Sequence, residues 1–293
     1  MKTVKPDFYD DFKCVADKCR HSCCVGWEID IDSDSYEYYM GVEGKLGEDL
    51  RKNICSKPEP HFCLDEHERC PFLEKSGLCR LINELGEESL CDICAEHPRF
   101  YNYFDDRVEA GLGLCCEEAA RLLLEGKGRL NLISDEEWFD EDELIRENIF
   151  DILSEQKNKM SERFTKCLAY FHEIFSMHDL SHWADFFLSL ERLDDCWTEK
   201  LLLLKEKYAE IKLEEQLLNE RYERLCQYFV YRHMLDADEY APVLEFCILA
   251  TEIIAALDTI CGFDVEHTRL FSSEIEYSDE NIALILEEIR KIK

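Results

Sequence analysis

Cysteine is the residue type whose spacing bears most directly on chemistry in this chain. Cys14, Cys19, Cys23 and Cys24 crowd into CVADKCRHSCC, Cys70 and Cys79 bracket CPFLEKSGLC, Cys91 and Cys94 open CDICAEHPRF, and Cys115 and Cys116 close the series. Thiolates that bind one ion or cluster must converge within a few ångströms, and short spacings let one turn of chain deliver several of them to one point. These ten thiols exceed one tetrahedral site, so either two centres form or some of the thiols only pack beside the ligands. The expected ligands are Cys19, Cys23, Cys24, Cys70, Cys79 and Cys94, with Cys14 and Cys91 next. Four thiolates suit zinc and iron–sulfur clusters alike, so donor type leaves both open. Cys55 and Cys63 stand apart and have weaker claims. His21, His61, His67 and His97 read as surface or locally bonded imidazoles. Cys167, Cys196, Cys226, Cys247 and Cys261 each stand alone in a helical pattern, where a thiol serves as a small core hydrophobe.

The surroundings of these cysteines favour ligation over disulfides. The first residues, MKTVKPDFYDDF, carry acidic groups where a signal peptide needs an apolar run, so an intracellular, cytoplasmic protein is expected. Seventeen cysteines in a reducing compartment are not a disulfide framework. The 34 basic and 66 acidic residues give 34 − 66 = −32, which disfavours phosphate-backbone binding and nucleic acid as a partner. The acidity reads as a solvated, soluble face, or as attraction to a lysine-rich partner. The longest apolar stretch, Val243 to Phe263, is broken by Glu245, Glu252 and Asp258, which makes it a buried helix rather than a membrane span.

The elements that must position the cysteines follow from the distribution of residue types. Five of the six prolines and ten of the 11 glycines lie at or before Gly128, so the cysteine-rich part should be loop-rich with short helices. One helix is expected from a cap at Ser33 or Ser35, and another from about Glu117 to Leu124, stopped by a left-handed Gly126. Beyond residue 130 the pattern is helix after helix. Ser134 with Glu137 reads as a capping box ahead of Ile145, Ile149, Ile152 and Leu153, and further helices start near Ser161, Ser181, Thr198, Leu213, Glu239 and Ser278. The expected fold is mainly α: a cysteine-rich, loop-rich region over 1–128, binding a metal or cluster, packed on an all-helical region over 129–293 without strand alternation.

At this level of detail the series CxxxCC, CPFL, GLC and CxxxxPRF resembles the CxxCxxCC family of zinc or iron–sulfur proteins, and within it the flagellin lysine N-methylase family more closely. The resemblance is carried by Phe12, Cys14, Cys19, Cys23 and Cys24 with Gly26-Trp27, Ile29, Ile31-Asp32, Tyr36 and Tyr39. It continues through Cys70-Pro71-Phe72-Leu73, Cys79, Leu85-Gly86, Leu90-Cys91, Cys94, Pro98-Arg99 and the Cys115 region. It is dense over about residues 8–120, whereas the helical part is similar only in style, including Tyr228, Tyr231 and Arg232. The resemblance implies methyl transfer from S-adenosylmethionine to lysine side chains of flagellin or another lysine-rich protein. It also implies an iron–sulfur centre, of 4Fe-4S type, with zinc as the alternative.

Such chemistry needs a group that takes a proton from the lysine ammonium in a water-poor pocket. Asp30, Asp32, Tyr36 and Tyr39, beside the first cysteines, are the catalytic candidates, against ordinary roles in helix capping and core packing. Trp27 is a candidate wall for a sulfonium or ammonium, and Arg99 and Arg232 for holding a cofactor carboxylate, against core and salt-bridge roles. No glycine-rich loop follows a strand pattern, so the common dinucleotide-type fingerprint does not place S-adenosylmethionine. Two other readings remain at the level of sequence: a non-catalytic metal-binding interaction module, and a cluster-containing redox protein.

Overall fold

Two compact units emerge from a computed structural model that describes residues 2–135, 141–235 and 237–292: one is Lys13–Phe100, the other Met1–Phe12 with Tyr101–Lys293. The units therefore divide near residues 12 and 100, not at 128. The reason is β1 (Lys2–Pro6), which pairs with strands far along the chain and so takes the N-terminus out of the cysteine-rich unit.

In the unit 13–100, α1 (Ser33–Gly41) and α2 (Gly44–Asn53) pack together and lead into a hairpin of β2 (Ile54–Cys55) and β3 (His61–Phe62), followed by α3 (Arg80–Leu85) and α4 (Asp92–Glu96). Their apolar faces make one core: Ile29, Ile31, Tyr39, Leu46, Leu50 and Phe62, with Phe72 and Leu81. The cap of α1 is Asp32, whose carboxylate accepts the Ser35 amide at 2.8 Å; neither Ser33 nor Ser35 fills the role, because both lie inside the first turn.

The other unit contains a four-stranded sheet that periodicity did not reveal. Its order is β4 (Arg99–Tyr103), β5 (Arg107–Leu112), β1, β6 (Leu132–Ser134), with β1 parallel to β5 and antiparallel to β6. The strands are short, and β5 buries nearly every residue, so no alternation of polar and apolar positions marks them. Ser134 pairs with Val4 in the ladder instead of capping a helix; Glu137, its supposed partner, lies outside the described residues, and α6 runs over Glu141–Leu153.

The helical expectation holds beyond this point, and the chain is mainly α. α5 (Glu117–Glu125) is followed, after α6, by α7 (Met160–Ala169), α8 (Leu180–Ser189), α9 (Asp195–Lys207), α10 (Leu213–Gln216), α11 (Glu220–His233), α12 (Tyr240–Cys261), α13 (Val265–Phe271) and α14 (Asp279–Ile292). Between α13 and α14 lies a π-helical turn, Ser272–Glu276. Gly126 ends α5 with φ −59°, not left-handed; a Cβ there would stand 2.6 Å from Arg224 Nε, so any larger residue would displace that guanidinium.

The centre of this unit is α12, buried at every residue from Phe246 to Asp258. A helix apolar all round needs neighbours all round, and α11, α14, α10 and α9 supply them. The polar residues that broke its apolar run are paired: Glu252 Oε2 lies 2.7 Å from His178 Nδ1, while Asp258 accepts from Tyr222 Oη at 2.8 Å and lies 2.6 Å from His267 Nδ1. No helix among the described residues is long and apolar enough to cross a membrane. From α11, Tyr228 donates to the Leu112 carbonyl and Tyr231 reaches the Val4 and Ala110 carbonyls, tying the helix to the sheet. Beneath them Glu109, fully buried, accepts from Arg146 at 2.6 and 3.0 Å and from Arg107 at 2.9 Å.

Candidate metal centre

Backbone pairing inside the unit 13–100 brings together cysteines far apart in sequence. The segment after Cys23-Cys24 runs antiparallel to the one before Cys70: Val25 bridges Arg69, the Gly26 amide donates to the Glu68 carbonyl at 3.0 Å, and the Cys70 amide to the Cys24 carbonyl at 2.8 Å. From Cys70 the chain folds back at once. Leu73 bridges Cys79, the Glu74 amide donates to Leu78, and the Arg80 amide to Phe72. The turn of this hairpin is Gly77, at φ +84°. A Cβ there would sit 3.3 Å from the Asp17 Cα, so the glycine also admits the loop between Cys14 and Cys19.

Cys79 and Cys91 occupy the N-cap positions of α3 and α4. Backbone amides of Leu81 and Ile82 face the Cys79 sulfur and that of Cys94 faces Cys91, an arrangement that favours thiolate. Tyr39 fixes the approach to α4 by donating its hydroxyl to the Ser89 carbonyl at 2.7 Å.

Five thiols, those of Cys24, Cys70, Cys79, Cys91 and Cys94, thus pack against one hydrophobic core, and their charges act on one another. A hydrogen bond from Cys23, opposed by burial and aided by Ser22 and Arg69, brings Cys24 down to about 7. Burial, with Cys24 and Cys79 near, pushes Cys70 up to about 12, and burial likewise raises Cys79. Cys91 is lowered by its hydrogen bond with Cys94, and Cys94 is raised by sharing it and by burial. Nearby, burial pulls His97 down to about 4, so its imidazole is neutral at physiological pH.

Of the remaining expected ligands, Cys23 adjoins this group through its hydrogen bond with Cys24, while Cys14 and Cys19 lie outside the core cluster. Cys14 and Cys23 are exposed and Cys19 partly exposed; the Cys14 sulfur accepts the Ala16 amide at 3.4 Å. Cys55 and Cys63 form a disulfide at the end of the β2–β3 hairpin, with Cα atoms 5.6 Å apart; the register pairs Cys55 with His61, so the two cysteines join on a diagonal. In the other unit Cys167, Cys226 and Cys247 are buried as expected. Cys196 and Cys261 are exposed, because each falls on the outer side of a helix end.

Several candidate residues carry structural duties. Asp32 accepts the Ser35 amide through Oδ1 and, through Oδ2, the Asp92 amide at 3.0 Å. Burial works against its charge, but these amides outweigh it and hold the carboxyl below the usual range. Tyr39 is core. Asp30 is exposed, its backbone bridged to His61, and Tyr36 Oη lies 3.4 Å from Ser56 Oγ. Trp27 donates its indole N–H to the Cys23 carbonyl at 2.6 Å, with its ring centroid 6.2 Å from that of His97. Arg99 is half-buried at the start of β4. Arg232 does meet a carboxylate, but that of Glu276 in its own unit at 3.3 Å, with Tyr228 Oη at 3.1 Å. Glu276 is fully buried and its pairing could not be read from a sequence separation of this size.

In donor type the five gathered thiols fit a thiolate-held group. Among the described residues, however, no three His, Cys, Asp or Glu side chains form a group that could hold a single metal ion. The residues expected to hold S-adenosylmethionine do not fit as a set, since Arg232 is committed to Glu276.

No family model matches the chain, and no solved structure matches it. It is similar to two proteins named lysine-N-methylase, from Salmonella choleraesuis and Salmonella typhimurium, each 26% identical over 131 residues, covering 42% of this chain and 33% of the relative. It is also similar to a flagellar biosynthetic protein FliU of Salmonella muenchen, 24% identical over 131 residues, 42% of this chain and 78% of the relative. The match therefore spans about a third of the length of the two lysine-N-methylases.

Proposed function

We propose that this chain, a distant relative of proteins named lysine-N-methylase and FliU, is an S-adenosylmethionine-dependent lysine N-methyltransferase acting on flagellin or a similar lysine-rich protein. We assign it a centre held by ligands drawn from Cys24, Cys70, Cys79, Cys91 and Cys94. The observation that carries the reading is the convergence of these five thiols, from three separate sequence motifs, onto one core in a chain whose relatives bear those names. The thiolate donor set suits a 4Fe-4S cluster, which we assign, and zinc is the alternative.

When bound, the cluster supplies a compensating positive charge to buried thiolates that would otherwise be costly to ionise. The chain's own residues do the rest of the positioning: Asp32 and Tyr39 hold the start of α4, and Gly77 admits the Cys14–Cys19 loop. With Asp32 and Tyr39 so engaged, Asp30 and Tyr36 remain for accepting the lysine proton. Arg232, paired with Glu276, and Arg99 do not together define a pocket for S-adenosylmethionine.

The test is anaerobic purification, iron, sulfide and zinc analysis, and incubation with S-adenosylmethionine and flagellin from the same cell. Mass increments of methyl groups on lysine, in protein that holds iron and sulfide, are the expected result. Stoichiometric zinc without iron overturns the cluster, and no methylation by protein with an intact centre overturns the enzymatic reading.

A further inference from the structure

Two aromatic side chains stand three residues beyond two of the thiol motifs, Trp27 after Cys24 and His97 after Cys94. The fold brings their rings together, with centroids 6.2 Å apart and planes at 32°. The two cysteines approach one another as well, since the Cys24 charge acts on the Cys94 thiol. Trp27, Cys24 and Cys94 are half-buried and pack against the same core, which includes Ile29, Phe62 and Phe72. Cys70 and Cys91 lie deeper in that core, at 7% and 0% exposure.

Each ring is fixed from its own side. The chain turns through Gly26, at φ +91° with its amide on the Glu68 carbonyl, and the Trp27 indole N–H then donates back to the Cys23 carbonyl at 2.6 Å. His97 follows the last turn of α4, where its amide donates to the Ile93 carbonyl at 3.3 Å. Burial keeps its imidazole neutral at physiological pH, so it meets the indole as an uncharged ring. The contact thus spans two segments anchored separately, one on Glu68 and the other on α4.

We propose that Trp27 and His97 form a lid over the Cys24 and Cys94 thiols and govern what enters and leaves the thiol group. Its part in holding a metal or cluster rests on the assignment made above; its part in covering the thiols does not. A large indole laid against half-buried sulfurs keeps water and solutes from them. A contact between two separately anchored segments opens locally while the core beneath it stays packed.

Two rates are measured on the full chain as purified: alkylation of each cysteine by iodoacetamide, read by peptide mass mapping, and transfer of bound iron or zinc to excess EDTA. Trp27→Ala and His97→Ala should each raise both the alkylation of Cys24 and Cys94 and the metal transfer about tenfold, the effect of a local opening made easier. The double variant should be little faster than Trp27→Ala alone, because the two rings form one lid. Trp27→Phe and His97→Phe keep a ring at each position, should stay within about threefold of wild type, and guard against a folding effect. Acceleration at Cys24 and Cys94 while Cys70 and Cys91 remain slow is the expected pattern. Equal acceleration of all four thiols reports unfolding of the unit and overturns the lid. Unchanged rates in both alanine variants, or phenylalanine variants as fast as the alanine ones, overturn it too. Purified protein without metal would remove the centre assigned above and leave the alkylation test intact, so the two failures are told apart.

Discussion

The Asp32 carboxylate caps α1 with one oxygen and receives the Asp92 amide, in the first turn of α4, with the other. A single side chain thus joins the helix that follows the first cysteine cluster to the helix that carries Cys91 and Cys94. Asp32→Ala removes both acceptors and should lower unfolding stability by about 1–2 kcal/mol, as loss of an N-cap does. Asp32→Asn retains an acceptor for one amide and should cost less. Urea denaturation of the two variants gives the comparison, and equal stability of D32A and wild type would remove the role assigned to this residue.

Ser substitution of Cys24, Cys70, Cys79, Cys91 or Cys94 should reduce bound metal and melting temperature together, because site formation and folding are linked. The Cys55→Ser and Cys63→Ser variants, whose sulfurs are joined to each other, should keep the metal. Elemental analysis beside thermal melts separates the two groups; unchanged metal in all five core variants would defeat the assignment.

Truncating the buried Arg146 should be costly, and removing its partner with it should recover only part of the loss. Arg146→Met leaves the fully buried Glu109 with the Arg107 bond and should cost about 3–5 kcal/mol, whereas adding Glu109→Leu removes that carboxylate but leaves buried Arg107 and Glu143 behind, so the recovery should be partial. A double-mutant cycle by chemical denaturation reads the coupling directly.

Between pH 6.5 and 9 the protein should lose stability as pH rises. Burial disfavours the charged His178, yet Glu245 and Glu252 hold its pKa at about 9 in the fold, above the ordinary 6.5. A group raised by folding contributes fully below its unfolded pKa and loses that contribution as pH passes the folded one, here at most about 3 kcal/mol at 1.36 kcal/mol per unit. His178→Asn should flatten the pH dependence across this window; a slope identical to wild type would contradict it.

Alkylation of the native protein should mark Cys196 and Cys261 and spare Cys167, Cys226 and Cys247. The Asp194 charge raises the Cys196 thiol, so its labelling near pH 8 should lag behind its exposure and gain as pH rises. Peptide mass mapping after timed iodoacetamide treatment checks both points.

What the sequence determined by itself was local or carried by composition. The helices beyond residue 160 are announced by apolar residues at helical spacing, and α12 by an apolar run too interrupted for a membrane, with Gly262 at φ +84° where it ends. The cysteine motifs were legible because ligand chemistry requires particular residue types at short spacing. Tertiary structure decided everything that depends on long separations. The pairing of β1 with β5 joins residues about a hundred positions apart, and β5, buried on both faces, leaves no period-two signature. The same holds within the site: which five thiols share a core follows from the ladder between Cys24 and Cys70 and the hairpin at Gly77, not from their grouping along the chain. Asp32, Tyr39 and Arg232 looked like candidates for chemistry because their side chains suit it, but only the fold shows that Asp92, Ser89 and Glu276 already use them.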